Sequence, residues 1–378
     1  MSAEKIVVPK GLAGVVADDT SVSKVIPEIN SLVYRGYKVQ DLAEQCTFEE
    51  VAYLLTHDDL PSQQQLNDFI AAEKSKRTLS DDLLAVIHHF PKEAHPMDTL
   101  RTAVSFLGLE DERIWESDPE TSMDKFIGLY SRIPLIVAAC SRYRAGKSYI
   151  PPRQDLSFEE NFFYMCFEEV PSKEVLRAFD VSMTLYAEHS FNASTFTSRV
   201  VTSTMSDMYS AVVGGIAALK GPLHGGANEQ VMHMLKEIED PAKAKDWMLN
   251  ALATKRKVMG FGHRVYRNGD SRVPTMRKYT QKMAEFTGNT RWMEIATLLE
   301  EVMLEEKGIY PNLDFPAGPA YYMMGFEIET FTPIFVISRI TGWAAHIMEQ
   351  AQSNRIIRPL SEYVGSPERS VVPLEQRS

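Results

Sequence analysis

No apolar run in this 378-residue chain is long enough to cross a bilayer, and the opening MSAEKIVVPKGLAGVVADD lacks the basic-then-apolar order of a signal peptide. The expected location is therefore the cytoplasm. Cysteine is scarce. Cys46, Cys140 and Cys166 are odd in number and far apart, which excludes a disulfide framework or a zinc knuckle and fits a reducing compartment. Low-complexity tracts and repeats at solenoid periods are missing, so neither a disordered nor an arrayed chain is expected. Positive charge is in deficit: a net charge of −11 opposes nucleic acid or an anionic membrane as the main partner. There is no Walker loop, no GxSxG elbow, and no helix carrying two histidines and an acid, so no metal is implied. The GxG at 260–262 has no preceding βα unit and no third glycine at the required spacing, which rejects a Rossmann fingerprint.

Alternating strand patterns are also nearly absent, apart from two small strands expected near Gly11 and Gly14. Apolar residues instead recur at three- and four-residue steps, from SLVYRGYKVQDLAEQCTFEEVAYLLTH through stretches near 63–77, 79–90, 96–108, 122–145, 158–168 and 172–190. Thr47 followed by Glu50 is a capping box, which starts a helix that turns Val51, Leu54 and Leu55 inward. In 195–219, the small residues Ser206, Ser210, Ala211, Gly214 and Gly215 fit close helix approach, within the chain or between subunits. Gly- and Pro-rich breaks at 221–226, 260–263 and 310–319 bracket helical runs around 227–238, 241–256 and 272–307. TPIFVISRITGWAAHIMEQ (332–350) reads as a final buried helix. The chain is too long for one simple core, so the reading is all-α with a large and a smaller domain around a cleft.

The chemistry concentrates at the breaks. His224 sits among glycines near a helix start, which keeps imidazole neutral and able to donate to a developing enolate oxygen; a plain turn histidine remains the alternative. His263 repeats that setting in GFGH. Asp314, between apolar side chains in a proline-punctuated loop, becomes a general base if burial raises its pKa, although Asp after Pro-Asn is also an ordinary turn residue. Arg339 lies within an apolar helix and needs a carboxylate from protein or ligand. Arg272 and Arg358 are further candidates for two-pronged carboxylate clamps, with surface ion pairs as the alternative. His189 is notable for its polar neighbours. From Lys255 to Lys278, eight Lys or Arg face a single acid, Asp270, which suits a compact polyanion.

These residues, with GLAGV (11–15), YRGY (34–37), FEEVAYLL (48–55), HPM (95–97), NASTF (192–196), GPLHGGANE (221–229), VMGFGHRVY (258–266), PNLDF (311–315), TPIFVISR (332–339) and RIIRP (355–359), resemble the citrate synthase family along nearly the whole chain. The resemblance implies an all-α, two-domain, homodimeric fold, with residues 1–223 and 321–378 forming the large domain and 224–320 the small one. It implies an enzyme that condenses oxaloacetate with a short acyl-CoA, the latter a substrate and not a cofactor. His224 would stabilise the enolate, Asp314 would take the α-proton and His263 would polarise the keto group. His189, Arg272 and Arg339 would hold oxaloacetate, with Arg358 crossing from the other subunit. Lys257, Val258, Met259, Gly260, Phe261, Gly262 and Arg267 would contact CoA. AEHSFNASTF (187–196) and TGWAAHIMEQ (341–350) resemble the bacterial 2-methylcitrate synthase branch, favouring propionyl-CoA with acetyl-CoA also accepted. A silent CoA-binding protein on the same fold remains a second possibility.

Overall fold

The one sheet among the described residues corrects the first helical reading. In the computed structural model, which describes residues 8–266 and 268–377, β1 (Ser23–Ile26), β2 (Ser31–Tyr34) and β3 (Tyr37–Lys38) form an antiparallel meander. Arg35 and Gly36 both take positive φ (47° and 90°), the two-residue hairpin turn that suits strand twist. The Arg35 guanidinium donates to Leu55 O, at 2.9 Å from Nη2, and pairs with Asp58, which holds the strained residue. Leu32 and Tyr34 point inward with period two, a pattern too short to distinguish from a helical step in sequence. Of the two small strands expected in the N-terminal segment that holds Gly11 and Gly14, β1 forms before Ser31, while the chain at the glycines themselves is a 3₁₀ turn (Lys10–Leu12) and irregular.

Sixteen α-helices account for most of the remaining described residues: α1 (Val39–Gln45), α2 (Phe48–His57), α3 (Gln63–Ser75), α4 (Asp81–His88), α5 (Pro96–Leu109), α6 (Pro119–Arg144), α7 (Phe158–Phe167), α8 (Lys173–Tyr186), α9 (Ala193–Ser203), α10 (Met208–Leu219), α11 (Ala227–Ile238), α12 (Pro241–Ala253), α13 (Val273–Thr287), α14 (Arg291–Lys307), α15 (Asp314–Met323) and α16 (Phe331–Gln352). The Thr47/Glu50 capping box forms as read, and Ser62/Gln65 and Ser157/Glu160 form two more. The run read over 272–307 divides because Gly288 closes α13 in the left-handed conformation. No helix among the described residues is long and apolar enough to cross a membrane.

α16 is the organising element. Almost every residue from Phe331 to Ile347 is buried against α6, α9, α10, α2 and α8. Gly215 lets α10 approach it: a Cβ there would lie 3.0 Å from the Trp343 ring and 2.7 Å from Ser198 Oγ. At this point the small residues of α9 and α10 therefore serve packing within the chain. α11 to α15 pack on one another, and reach the rest of the chain mainly through α13 on α8 and α11 on α16.

Candidate active site

The C-terminal end of α8 gathers the charges. The last carbonyls of a helix lack intrahelical donors and carry its negative end, so they attract cations. Arg272 donates from Nη1 to Leu185 O (3.3 Å) and Arg339 from Nε to Tyr186 O (2.7 Å). Tyr34 of the sheet donates to Glu188 O at 2.8 Å, and Ser23 Oγ donates to Glu188 Oε1 at 2.9 Å, so the small sheet braces the segment that carries His189.

The two arginines differ in kind. Arg272 already forks onto buried Asp270, through Nε (2.9 Å) and Nη2 (2.7 Å). Burial opposes its charge, but Asp270 outweighs that and the guanidinium pKa rises. Arg339 is only 1% exposed, and its Nη1 has no hydrogen-bond partner among the described residues. Burial lowers its pKa to about 10, only partly offset by Glu188, whose Oε1 is held by His346 Nε2 at 2.9 Å. His189 Nε2 is also buried and unpartnered among the described residues.

The glycine-rich loops hold the remaining groups. Gly262 N donates to Tyr310 O (2.8 Å) and Asn312 N to Gly260 O (2.9 Å), which ties the His263 loop to the segment leading into Asp314. Gly260, at φ 84°, has no room for a side chain: a Cβ would meet Val231 at 2.6 Å and Phe315 at 2.8 Å. His263 Nδ1 accepts from Val265 N (3.1 Å) and Tyr266 N (3.2 Å), which leaves the proton on Nε2 as a donor. Its ring lies 4.9 Å from that of His189. His224 Nε2 lies 3.2 Å from Ser194 N and 2.9 Å from Ser194 Oγ at the start of α9; as the acceptor of the Ser194 N–H it carries its proton on Nδ1. Glu229, from the same motif, bridges His95 (3.2 Å) and Thr332, fixing the start of α11 against the start of α16.

Burial, then the arginine charges, keeps all three imidazoles neutral. His224 falls to about 3 through burial and Arg339, His263 to about 4 through burial and Arg272, and His189 well below its usual range. Asp314 moves the other way. Burial raises its carboxyl to about 6 even though Tyr186, Arg272 and Arg339 pull it down. The residue is not in a loop as read: it opens α15, which runs on through Pro316 and Pro319. Tyr186, absent from the sequence-derived candidates, donates to Asp314 Oδ1 at 2.7 Å. Apart from closing an apolar helix, nothing in the sequence marks it. Asp270 was visible as the lone acid of a basic stretch.

The fold thus brings His189, Arg272 and His263 together around the end of α8, and Arg339 acts electrostatically on His189, His224 and Asp314. No contact joins His224 directly to Asp314 among the described residues. Arg358 lies apart, exposed beyond α16 where Ile357 N donates to Ser203 Oγ. The basic stretch is partly neutralised within the chain: Arg256 pairs with Glu237, Arg272 with Asp270, Arg277 with Glu300 and Lys278 with Glu44. Lys257 remains exposed, Val258 and Met259 are partly buried, Phe261 packs on Phe315 at 4.5 Å, and Arg267 lies outside the described residues. A cleft of about 480 Å³ near the end of α16, lined by Arg35, Asp58, Met348 and Glu349, contains none of the candidate groups.

The family model for citrate synthase, C-terminal domain, matches residues 11–360. The chain belongs to the citrate synthase family. A relative named citrate synthase from Mycolicibacterium smegmatis is 56% identical over 96% of both chains. One named 2-methylcitrate synthase from Mycobacterium tuberculosis is 54% identical over 96% of this chain and 92% of its own. The solved ternary complex of carboxymethyl coenzyme A and oxaloacetate with the Thermoplasma acidophilum citrate synthase superposes with a TM-score of 0.92 at 32% identity, covering 98% of this chain and 99% of that one. The all-α fold of this family is the one read from the sequence.

The Tyr186 contact carries a prediction. A hydrogen bond donated to a carboxylate favours its charged form, so Tyr186→Phe is expected to raise the Asp314 pKa above about 6. If Asp314 acts as a base, the acidic limb of the kcat profile then moves to higher pH, with little loss on the alkaline plateau. An unmoved limb in the pH profile would remove Tyr186 from the mechanism.

Proposed function

We propose that the protein condenses a short acyl-CoA with oxaloacetate and water, giving a tricarboxylate and free CoA. The observation that carries this reading is a neutral donor, His224, and a buried carboxyl raised to about 6, Asp314, both under the influence of Arg339, whose buried charge Glu188 only partly offsets. The α-carbon of a thioester is a very weak acid, so it needs a desolvated base on one side and a fixed donor at its oxygen on the other. Asp314 takes the proton and His224 Nδ1–H stabilises the enolate. His263 Nε2–H polarises the keto group under attack, while His189, Arg272 and Arg339 hold the carboxylates of oxaloacetate. Water then hydrolyses the new thioester, and CoA leaves as the thiol. No cofactor or metal enters this chemistry.

Residues 224–320 form the small domain in this reading and the remainder the large one, with closure completing a CoA site along 257–262 and Arg267. The tail supports a homodimer. Ile356, Leu360, Tyr363 and Val364 are 63–90% exposed on the single chain, apolar surface that a second copy would cover. Arg358 of the partner subunit then completes the carboxylate site.

Propionyl-CoA is the favoured acyl donor, with acetyl-CoA accepted too; a dedicated acetyl-CoA enzyme is the second reading, because relatives of nearly equal identity carry either name. One extra methylene is worth only about 1–3 kcal/mol. The test is CoA release from purified protein, comparing kcat/KM for the two donors with and without oxaloacetate, alongside sedimentation to establish the dimer. The expected result is oxaloacetate-dependent release from both, faster with propionyl-CoA. No dependence on oxaloacetate with either donor would overturn the reading in favour of a silent binding protein.

A further inference from the structure

Away from the oxaloacetate pocket the fold buries a second group of carboxylates. The starts of α2 and α7 meet at Tyr130 of α6, where Phe48 and Phe158, the first residues of the two helices, pack on its ring with centroids at 5.9 Å and 4.7 Å. The residues that follow them, Glu49 and Glu159, share this junction. Asp180 of α8 reaches it by accepting the Phe48 N–H at 2.7 Å. Carboxylate oxygens of Glu49, Glu159 and Asp180 all lie within 4.8 Å of one another, and none of the three residues is more than 9% exposed. Glu73 of α3 faces the same space, bound to Arg77 through both oxygens at 2.8 Å and 3.0 Å.

Helix capping accounts for part of this cluster but not all of it. The Tyr130 hydroxyl is wholly buried, faces Glu49, Glu73 and Glu159, and has no hydrogen-bond partner among the described residues. Glu159 Oε1 has none either, its Oε2 taking only the Ser157 hydroxyl at 3.2 Å. Four carboxylates share two guanidiniums, Arg77 on Glu73 and Arg177 on Asp180. Fully ionised, the cluster holds two negative charges in excess where water cannot screen them. Burial, then the neighbouring acids, raises the pKa of Glu159 well above its usual range and that of Asp180 to about 7.

We propose that Glu49, Glu159 and Asp180, with the Tyr130 hydroxyl beside them, form a binding site for a hard divalent cation such as calcium. An all-oxygen donor set excludes thiophilic ions. Calcium tolerates an irregular set of oxygen donors, whereas magnesium demands near-octahedral geometry and usually keeps several waters, for which a buried frame of three carboxylates and a phenol is less suited. A dication cancels the excess charge and ties α2, α6, α7 and α8 together. The three acids have no ligand spacing in sequence, so only the fold brings them together.

The test uses the full chain stripped with a chelator at about pH 8. Calcium is expected to raise Tm saturably by about 2–5 °C, and terbium(III), a calcium surrogate excited through tyrosine, to emit until calcium displaces it. Glu159→Gln should abolish both responses while melting no lower than the wild type in chelator, and Tyr130→Phe should remove the sensitised emission. A calcium-independent wild-type Tm, or an equal rise in Glu159→Gln, would overturn the site. So would stability that rises as pH falls from about 8 to about 6 without any cation response, because protons alone would then neutralise the cluster.

Discussion

Asp314→Asn is expected to lower kcat by about a thousandfold or more while leaving oxaloacetate binding intact and the folded protein at least as stable. On the proposed assignment the loss follows from removing a positioned base, worth roughly 10²–10⁴ in rate, from a substrate that water cannot deprotonate at a useful rate. The stability follows from linkage. The Asp314 carboxyl binds its proton more tightly folded, at about 6, than unfolded. Below the ordinary carboxylate range both states are protonated and there is no penalty. As pH rises toward about 6 the unfolded chain ionises first, stability falls, and above that value the cost is complete, on the order of a few kcal/mol. Asparagine has no charge to bury and can still accept from Tyr186. Stopped assays at saturating substrates, oxaloacetate titration and melting at about pH 8 check the three parts. A variant that keeps most of its activity would sink the assignment of the base, whereas one that is inactive and melts early would show a structural role instead.

What was legible in the sequence divides by the range of the forces involved. The Thr47/Glu50 capping box is a local interaction and forms as read. His224, His263 and Asp314 could be singled out because glycines and prolines crowd them, and those residues are needed where loops approach one another, as at Gly260 against Phe315. Local rules failed where packing overrides them. Pro319 lacks an amide donor and should end a helix, yet α15 continues through it because Phe315, Ala317, Ala320 and Tyr321 all bury on one another's neighbours. The hairpin at 31–38 carries too few residues to separate a period of two from a helical step. The charge reading could not show which cations are already paired: Glu44 and Glu300 lie elsewhere in the chain from Lys278 and Arg277, so their pairing cannot be inferred from a basic run. Tyr186, whose hydroxyl meets Asp314 from another helix, is invisible to sequence for the same reason.

Arg339 and Arg272 look alike in sequence, but their removal should have opposite effects on the fold. Arg339→Met is expected to weaken oxaloacetate binding by about 30-fold to several thousandfold, the range for losing one partner of a buried charged contact worth about 2–5 kcal/mol. It should not lower Tm. The guanidinium it removes is buried with Nη1 unpartnered, and Glu188 keeps His346 and Ser23 as partners. Removing a buried charge whose partners are incomplete also removes its desolvation cost, which offsets the lost attraction to Glu188. Arg272→Met instead strands Asp270, fully buried and otherwise holding only the backbone amides of Arg272 and Leu313, and should destabilise the fold by about 3–5 kcal/mol. Oxaloacetate affinity and Tm measured on both variants separate the two roles. If Arg339→Met melts well below the wild type, its tie to Tyr186 O outweighs the cost of burying its charge; if it binds oxaloacetate normally, the orphaned guanidinium edge does not face the substrate.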